Sequence, residues 1–328
     1  YITVLFTGFF FLEGFDYGVG GILPFLSSDE KERGEVLRTI TPVWDGNEVW
    51  MITAGGALFA AFPHVYATMF STFYLALFLM LVALILRGVA FDLRGRQQSA
   101  CWQRFWDGAI CFGSIVPAFL WGVAVTNLIA GIPINEKMIY TGGFFDLLTP
   151  YTIVGGLAFL FVFLFHGTAF LTLRLAKSSL IMRCQQLALK TGVTASIFFV
   201  LCMAMTLTYT DLFTKPLAAV ALVGAALFFV MAILSMKLAK GKASLLLSTA
   251  AIVATTIAFF AGLFPRLMVS SLNPDWSLTI TNAASSPHTL SVMTIAAAVF
   301  VPIVLIYQSW SYYIFRKRVT PKDAEEHY

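Results

Sequence analysis

Long apolar runs separated by short polar segments dominate the pattern of this chain. A helix needs about 20 apolar residues to cross a hydrocarbon core about 30 Å thick. Eight runs approach or exceed that length: 1–26, 64–91, 106–129, 151–175, 187–209, 216–238, 245–264 and 290–315. A ninth run, from Gly46 to Phe62, is closed by Pro63 and would span about 25 Å at about 1.5 Å per residue. The pattern predicts an all-α integral membrane protein of about nine transmembrane helices, packed as helical bundles in a single domain over residues 1–328.

The Lys and Arg residues are concentrated in alternate polar segments. Five segments contain 18 of the 21 basic residues: 27–45, 87–105, 174–190, 237–244 and 316–328. The remaining basic residues are Lys137, Lys215 and Arg266, in segments on the opposite side. Because short cytoplasmic loops carry an excess of Lys and Arg, this distribution predicts the N-terminus outside and the C-terminus in the cytoplasm. Omitting the short ninth run would place every later loop on the wrong side, so the charges favour nine helices over eight.

The composition excludes an ordinary soluble domain. Hydrophobic residues make up 59% of the chain and charged residues 12%, whereas a soluble domain is about half apolar and a quarter charged. The net charge of +4 does not indicate nucleic-acid binding, because the basic residues are spread over several loops rather than gathered on one face. The first run shows no small-residue cleavage pattern, so no cleavable signal peptide is expected.

Two acidic residues interrupt the first apolar run, LFTGFFFLEGFDYGVGG. Glu13 and Asp16 are three residues apart and therefore share one face of a helix. A carboxylate deep in the bilayer costs about 2.5–3.5 kcal/mol on insertion scales, and such residues usually face a bundle interior or an aqueous route. Either one of them only hydrogen-bonds a neighbouring helix or the pair carries protons or ions, and the intramembrane position favours the second. Gly14 and Gly18 form a G-x-x-x-G pattern, which predicts close helix packing.

The short ninth run, which is second in chain order, is preceded and opened by the motif WDGNEVW at residues 44–50. Asp45 is predicted to cap this helix, with Glu48 at the third position as in a variant capping box. The shortness of the helix can also draw its N-terminus below the lipid surface, which would make the two acids a cytoplasmic proton entrance. Capping alone and capping combined with proton entry both stay open, and we favour the combination. Gly55 and Gly56 predict a small-residue face for tight helix packing.

Other charged residues near the ends of apolar runs have a simpler interpretation. Arg87, Asp92 and Asp107 are interpreted as anchors whose polar ends reach the membrane surface. The sequence contains no P-loop, C-x-x-C or H-E-x-x-H motif, and no dinucleotide-binding glycine pattern after a strand. We therefore predict no metal site and no catalytic residue in this chain.

The histidines disfavour haem ligation by this chain. His64 and His288 lie near the predicted outer ends of helices, His327 in the tail, and His166 alone within a span. A bis-histidine haem is excluded, because it needs two histidines on facing helices at one depth. A His166–Met pair stays conceivable, but a lone histidine in a helix is more often hydrogen-bonded packing. Any electron carriers are therefore expected outside this chain.

Six segments carry distinctive strings. They are GFDYGVGGILPFL, TPVWDGNEVWMITAGGALFAAFP, FSTFYLALFLMLVALILRGVAFDLR, TGGFFDLLTP, SLTITNAASSPHTLSVM and VPIVLIYQSWSYY. These strings resemble subunit II of cytochrome bd-type quinol oxidases. The likeness runs from Phe11 to about Tyr313, although the stretch 176–262 matches mainly in hydropathy.

The resemblance implies a subunit of a terminal oxidase in a prokaryotic cytoplasmic membrane, which oxidises quinol and reduces dioxygen to water. Haem b, haem d and the quinol site are then expected in a partner, the haem-bearing subunit I. Small single-helix subunits and a structural quinone or lipid stay open. This subunit is expected to stabilise the assembly and to contribute a proton route through Asp45, Glu13 and Asp16. Trp44 and Asn47 of the same motif are interpreted as packing residues.

Two competing classes share some of these features. A proton-coupled secondary transporter would also combine many helices with intramembrane acids, but such transporters often show internal repeats with broken helices in matching positions. No repeat is visible in this sequence. A purely structural subunit would need no acids in its first helix. The haem absorption spectrum of the native complex would separate these classes from an oxidase subunit.

Overall fold

The computed structural model describes residues 1–320 of the chain. Lys322, which belongs to the last basic segment, and His327 lie outside the described residues. The described chain contains eleven α-helices: α1 (Ile2–Leu26), α2 (Glu30–Arg38), α3 (Trp44–Ala61), α4 (Pro63–Thr72), α5 (Tyr74–Leu93), α6 (Ala100–Ala130), α7 (Pro150–Arg174), α8 (Ser178–Tyr209), α9 (Pro216–Lys237), α10 (Gly241–Leu263) and α11 (Pro287–Ile314). A small antiparallel sheet of β1 (Arg266–Met268) and β2 (Leu278–Thr279) lies between α10 and α11.

Eight helices of the described chain are long and apolar enough to cross a membrane, namely α1 and α5 to α11. The predicted all-α membrane architecture is therefore confirmed. The run at 64–91 is not one helix, because Phe73 separates α4 from α5, and neither Gly nor Pro marks that break in the sequence. Helix α3 forms at the ninth run but is not among the eight. The count of nine helices, the orientation of the termini and the single domain stay predictions.

Helix α1 lies in the interior of the bundle and packs mainly against α3, α6, α7 and α10. Every residue from Leu12 to Leu23 is buried. A Cβ atom at Gly18 would meet the backbone of Phe163 and Gly167 in α7, so only glycine leaves room for this approach of the two helices. This close packing positions the polar residues of α1 inside the protein rather than against lipid.

Helix α2 corrects the prediction that 27–45 is a loop. Asp29 caps it, because its side chain accepts a hydrogen bond of 2.9 Å from the backbone N–H of Glu32. The Glu32 carboxylate in turn accepts hydrogen bonds from Arg183 and, at 2.8 Å, from Lys177, which fix α2 against the start of α8. The charged segment has no apolar run, so hydropathy alone could not reveal this helix.

The environment of Glu32 predicts a pH-dependent stability. Burial acts to raise the pKa of Glu32, but hydrogen bonds from Arg183, Lys177 and Ser28 outweigh it and hold the pKa well below its usual value. Because the folded-state pKa is lowered, the carboxylate adds stability above its unfolded pKa of about 4.3. That stability is lost as the pH falls toward the folded pKa.

We expect acidification from pH 5 to pH 3 to destabilise the wild type by about 1–2 kcal/mol more than Glu32→Gln, allowing for the partly exposed partners. Calorimetric unfolding of the purified protein at both pH values measures this difference. Glu136→Gln, at an exposed position in the loop after α6, should respond like the wild type. An equal pH response in Glu32→Gln and the wild type would contradict the assignment.

Helix α11 is the least embedded element. None of its 28 residues is buried, and it touches the described chain mainly along α3. Its start is fixed by Ser285, whose hydroxyl donates to the carbonyl of Ala60 at 2.6 Å. Between α1, α10 and α11 lies a mainly apolar cleft of about 590 Å³. The last helix is therefore attached to the bundle at few points.

Candidate functional site

Three polar side chains of α1 lie together in the bundle interior. Glu13, Asp16 and Tyr17 have relative exposures of 0%, 0% and 1%. Their spacing of three and four residues places them on adjacent turns of one helix face. Asp16 lies ten residues before the end of α1 at Leu26, about 15 Å along the axis at about 1.5 Å per residue. Both carboxyl groups therefore lie well inside a membrane-spanning helix and face other helices of the bundle rather than lipid.

Arg87 of α5 enters the same interior and pairs with Glu13. Its Nη1 atom lies 2.5 Å from Oε1 of Glu13, and its side chain is 1% exposed. The guanidinium carbon lies 4.9 Å from the centroid of the Tyr17 ring, within the range of a cation–π contact. The interpretation of Arg87 as a surface anchor is wrong, because it lies six residues inside the end of α5 at Leu93 and faces a buried carboxylate.

The anchor interpretation also fails for Asp107. Its Oδ1 atom accepts a hydrogen bond of 2.6 Å from Nε of Arg94, and its side chain is 9% exposed. Arg94 also contacts Glu30 at 2.5 Å, so the pair joins the ends of α5, α6 and α2. Asp92 is exposed, as an anchor would be. Asp107 thus belongs to a separate ion cluster that holds these helix ends together.

A chain of hydrogen bonds links Asp16 to the last helix. Nδ2 of Asn47 donates to Oδ2 of Asp16 at 2.7 Å. Oδ1 of Asn47 accepts from Nε2 of Gln308 at 2.9 Å and from the hydroxyl of Tyr312 at 2.8 Å. Asn47 is fully buried. The predicted packing role of Asn47 is therefore too narrow, because its amide connects α1, α3 and α11.

The two acids of the WDGNEVW motif lie further outward. Asp45 is exposed in the first turn of α3, whereas Glu48 is partly buried and close enough to Arg87 to interact with its charge. The prediction that Asp45 caps α3 is wrong, because the helix begins at Trp44 with Val43 as its N-cap and no side chain caps it. The preceding turn already supplies the first carbonyls, so the helix starts two residues earlier than a cap at Asp45 would imply.

The remaining motif residues have mixed outcomes. The ring of Trp44 stacks on Phe91 with centroids 4.9 Å apart, which is a packing contact between α3 and α5. Gly55 and Gly56 do not form the predicted tight contact within the described residues, because a Cβ at either position would meet no atom within 4 Å. Ala54 lies on the opposite, fully buried side of the helix. The glycines thus occupy an open face of α3, away from the rest of this chain.

Several polar atoms in the interior have no hydrogen-bond partner among the described residues. They include Oε2 of Glu13, Oδ1 of Asp16, the hydroxyl of Tyr17, and Nε and Nη2 of Arg87. Buried polar atoms normally have partners, so their concentration at one place is unusual. Two neighbouring carboxyl groups with unengaged oxygens beside a fixed cation form a cluster that can take up, hold and release a proton.

His166 of α7 is engaged on both ring nitrogens. Nε2 lies 3.0 Å from the carbonyl oxygen of Phe11, and Nδ1 lies 2.7 Å from the hydroxyl of Ser248. In the tautomer that donates to the carbonyl, Nδ1 accepts from the hydroxyl. Within residues 1–320 no group of three His, Cys, Asp or Glu side chains is placed to hold a metal ion. With both ring nitrogens hydrogen-bonded, His166 has no nitrogen free to bind a haem iron in this arrangement.

Comparisons with known proteins agree on one family. The sequence profile of the family described as cytochrome bd terminal oxidase subunit II matches residues 1–315. Cytochrome bd ubiquinol oxidase subunit 2 of Bacillus subtilis (strain 168) is 40% identical over 328 residues, covering 98% of this chain and 96% of that protein. Cytochrome bd-I ubiquinol oxidase subunit 2 of Escherichia coli (strain K12) is 34% identical over 360 residues, covering 99% and 94%.

A solved structure gives the same architecture. A chain in the structure of bd oxidase from Geobacillus thermodenitrificans superposes with a TM-score of 0.76 and covers 95% of this chain and 94% of its own length. At 15% identity this likeness shows the fold alone. The profile match and the sequence relatives carry the assignment, and the chain belongs to the cytochrome bd terminal oxidase subunit II family.

Proposed function

We propose that this chain provides a cytoplasmic proton-uptake route for a cytochrome bd oxidase and stabilises its haem-bearing subunit I. Family membership makes it a subunit of a quinol:oxygen oxidoreductase complex in the bacterial cytoplasmic membrane. That assignment does not support the alternative of a proton-coupled secondary transporter. Reduction of dioxygen to water consumes protons, so an oxidase in a membrane needs a path that brings them to the reacting site.

The proposal rests on the graded burial of four acids. Asp45 is exposed, Glu48 is partly buried, and Glu13 and Asp16 are fully buried. Arg87 lies beside the inner acids and supplies one positive charge to the cluster. A proton that enters at Asp45 would pass Glu48 and reach the unengaged oxygens of the inner pair. Intramembrane acids that face a bundle interior are typical of proton relays.

Haem b, haem d and the quinol site belong to subunit I in this proposal. The hydrogen bonds on both nitrogens of His166 support that division. Small single-helix subunits and a structural quinone or lipid are further proposed components. The mainly apolar cleft between α1, α10 and α11 has room for an acyl or isoprenoid chain.

Asp45→Asn tests the entrance of the route. The amide has nearly the same shape as the carboxylate but does not titrate, so it cannot pass a proton. We expect quinol oxidase turnover well below wild type with normal haem content, and some residual activity because Glu48 lies close behind. Because Asp45 does not cap α3, Asp45→Ala should assemble equally well.

Asp92→Asn is the matched control, since Asp92 is an exposed acid at the end of α5. Its turnover should equal that of the wild type. Full turnover by a correctly assembled Asp45→Asn enzyme would place the entrance elsewhere.

His166→Ala tests the division of haem sites. We expect the haem absorption spectrum of the assembled complex to stay unchanged, because both ring nitrogens are already hydrogen-bonded. Stability should fall by about 1–3 kcal/mol, since Ser248 and the Phe11 carbonyl lose a buried partner. A reduced-minus-oxidised difference spectrum measures the first effect. Loss of one haem band from an assembled complex would overturn the assignment.

A further inference from the structure

We propose that Gln308 and Tyr312 of α11 are positioning residues that act on Asp16 through the side-chain amide of Asn47. This amide would reverse its orientation when Asp16 changes protonation state, so that both forms of the acid keep a hydrogen-bond partner. The inference rests on the proposed role of Asp16 as a proton carrier. It adds a part of the molecule, the last helix, that the proposed route does not use.

The observed orientation suits an unprotonated Asp16. Two donors, Nε2 of Gln308 and the hydroxyl of Tyr312, converge on Oδ1 of Asn47. They direct Nδ2 of Asn47 toward Oδ2 of Asp16. Oδ2 is then occupied as an acceptor, whereas Oδ1 of Asp16 has no hydrogen-bond partner among residues 1–320. Oδ1 is therefore the oxygen of Asp16 that is open to an arriving proton.

The same contacts also suit a protonated Asp16. Rotation of the carboxyl group by a half-turn brings the protonated oxygen to face Asn47. A half-turn of the Asn47 amide then lets its carbonyl oxygen accept this proton's hydrogen bond. Nδ2 of Asn47 now points to α11, where the Gln308 amide can reverse to present its oxygen and the Tyr312 hydroxyl can accept. Only one proton is added, and each of the three short contacts is kept with its direction reversed.

This reversibility requires side chains that both donate and accept. Amide and hydroxyl groups meet that requirement, whereas Lys or Arg can only donate and an ionised carboxylate can only accept. The charged and titratable groups that interact with Asp16 are Arg87, Glu48, Glu13 and Tyr312. Among these, Tyr312 belongs to the amide network. The Asn47 amide is thus a neutral partner of Asp16 that can either donate or accept a hydrogen bond. A charged neighbour such as Arg87 can only donate.

The position of α11 at the edge of the bundle means that its contacts with Asn47 can transmit a movement of this helix to Asp16. None of its residues is buried, and it meets the described chain mainly along α3, the helix that carries Asn47. The bonds from Gln308 and Tyr312 to Asn47 join residues 261 and 265 positions apart in the chain. A displacement of α11 would therefore change the partners of the Asn47 amide and, through them, those of Asp16.

Infrared difference spectroscopy on the purified oxidase complex tests the inference. The carboxyl stretching band of Asp16 is identified by its loss in Asp16→Asn. We expect Tyr312→Phe and Gln308→Leu each to shift this band, because each removes one partner of the Asn47 amide. Turnover should fall by about two- to tenfold, the range that corresponds to one net hydrogen bond. Two variants are used so that failure of one to assemble leaves the other.

Tyr313→Phe is the matched control, because Tyr313 is the adjacent tyrosine and is 62% exposed. It should leave both the band and the turnover unchanged. An unshifted Asp16 band in Tyr312→Phe or Gln308→Leu, or no carboxyl band that depends on Asp16, would overturn the inference. A different outcome is wild-type turnover in Asp16→Asn together with a shifted Asp16 band in Tyr312→Phe or Gln308→Leu. That outcome would overturn the proton route and leave the positioning role standing.

Discussion

Replacement of Arg87 by Met is expected to lower sharply both the yield and the thermal stability of the assembled oxidase. The substitution leaves Glu13 as a fully buried carboxylate without its counter-ion. Breaking a buried ion pair from one side costs about 3–5 kcal/mol, a large part of the about 5–15 kcal/mol that stabilises a typical folded protein. The yield of haem-containing complex after purification, and its thermal unfolding, measure the loss.

A double variant separates the cost of the lone charge from the loss of packing. Glu13→Gln combined with Arg87→Met removes both charges and should recover most of the assembly, although it should not recover turnover. Arg96→Met, at an exposed position after α5, should assemble like the wild type. Normal thermal stability of Arg87→Met would show that the pair with Glu13 does not hold α1 and α5 together.

Asp16→Asn is expected to lower quinol oxidase turnover by about 100-fold, at the lower end of what a positioned proton-transfer group contributes. The Asn side chain keeps an oxygen that can accept from Asn47, so haem content should stay normal. The loss should exceed that of Asp45→Asn, because Asp16 is fully buried and bulk solvent cannot reach the site to take over its role, whereas Asp45 is exposed. Steady-state oxygen consumption with a quinol substrate measures both variants.

Asp107→Asn gives a buried control for this experiment. Asp107 is also mostly buried and also contacts an arginine, but it belongs to the cluster that joins α2, α5 and α6. Its replacement should lower stability and leave the turnover of the assembled complex close to wild type. Wild-type turnover in a correctly assembled Asp16→Asn enzyme would remove Asp16 from the route.

The spans and the inner acids were predictable from the sequence for the same reason. A crossing helix needs about 20 apolar residues in a row, so eight runs stood out, and Glu13 and Asp16 stood out within the first of them. Helix α2 gave no such signal, because its buried apolar residues Val36 and Leu37 are too few to form an apolar run. Its charged residues are held by partners at the start of α8. Its local signs were the N-cap at Asp29, the acidic residues of the first turn and Arg38 in the last turn.

The partners of the inner acids could not be predicted. Arg87 lies 74 residues from Glu13 in the sequence, and its pattern fits a surface anchor as well as a counter-ion. Only the three-dimensional structure, in which the Arg87 side chain points into the bundle and reaches Glu13, decides between these two roles. Gln308 and Tyr312 are still more distant from Asn47 and resemble ordinary polar residues near a helix end. The start of α3 depended on the turn before it, so the capping role of Asp45 failed for a local reason.

The ion pair between Glu13 and Arg87 also constrains how the protein is made. Synthesis at about 5–20 residues per second separates the two residues by about 4–15 s. During that interval α1 has left the ribosome while its counter-ion has not yet been translated. Each charged residue at a helix centre costs about 2.5–3.5 kcal/mol on insertion scales. We therefore expect the final packing of α1 to be completed only after α5 has been translated and Arg87 can pair with Glu13.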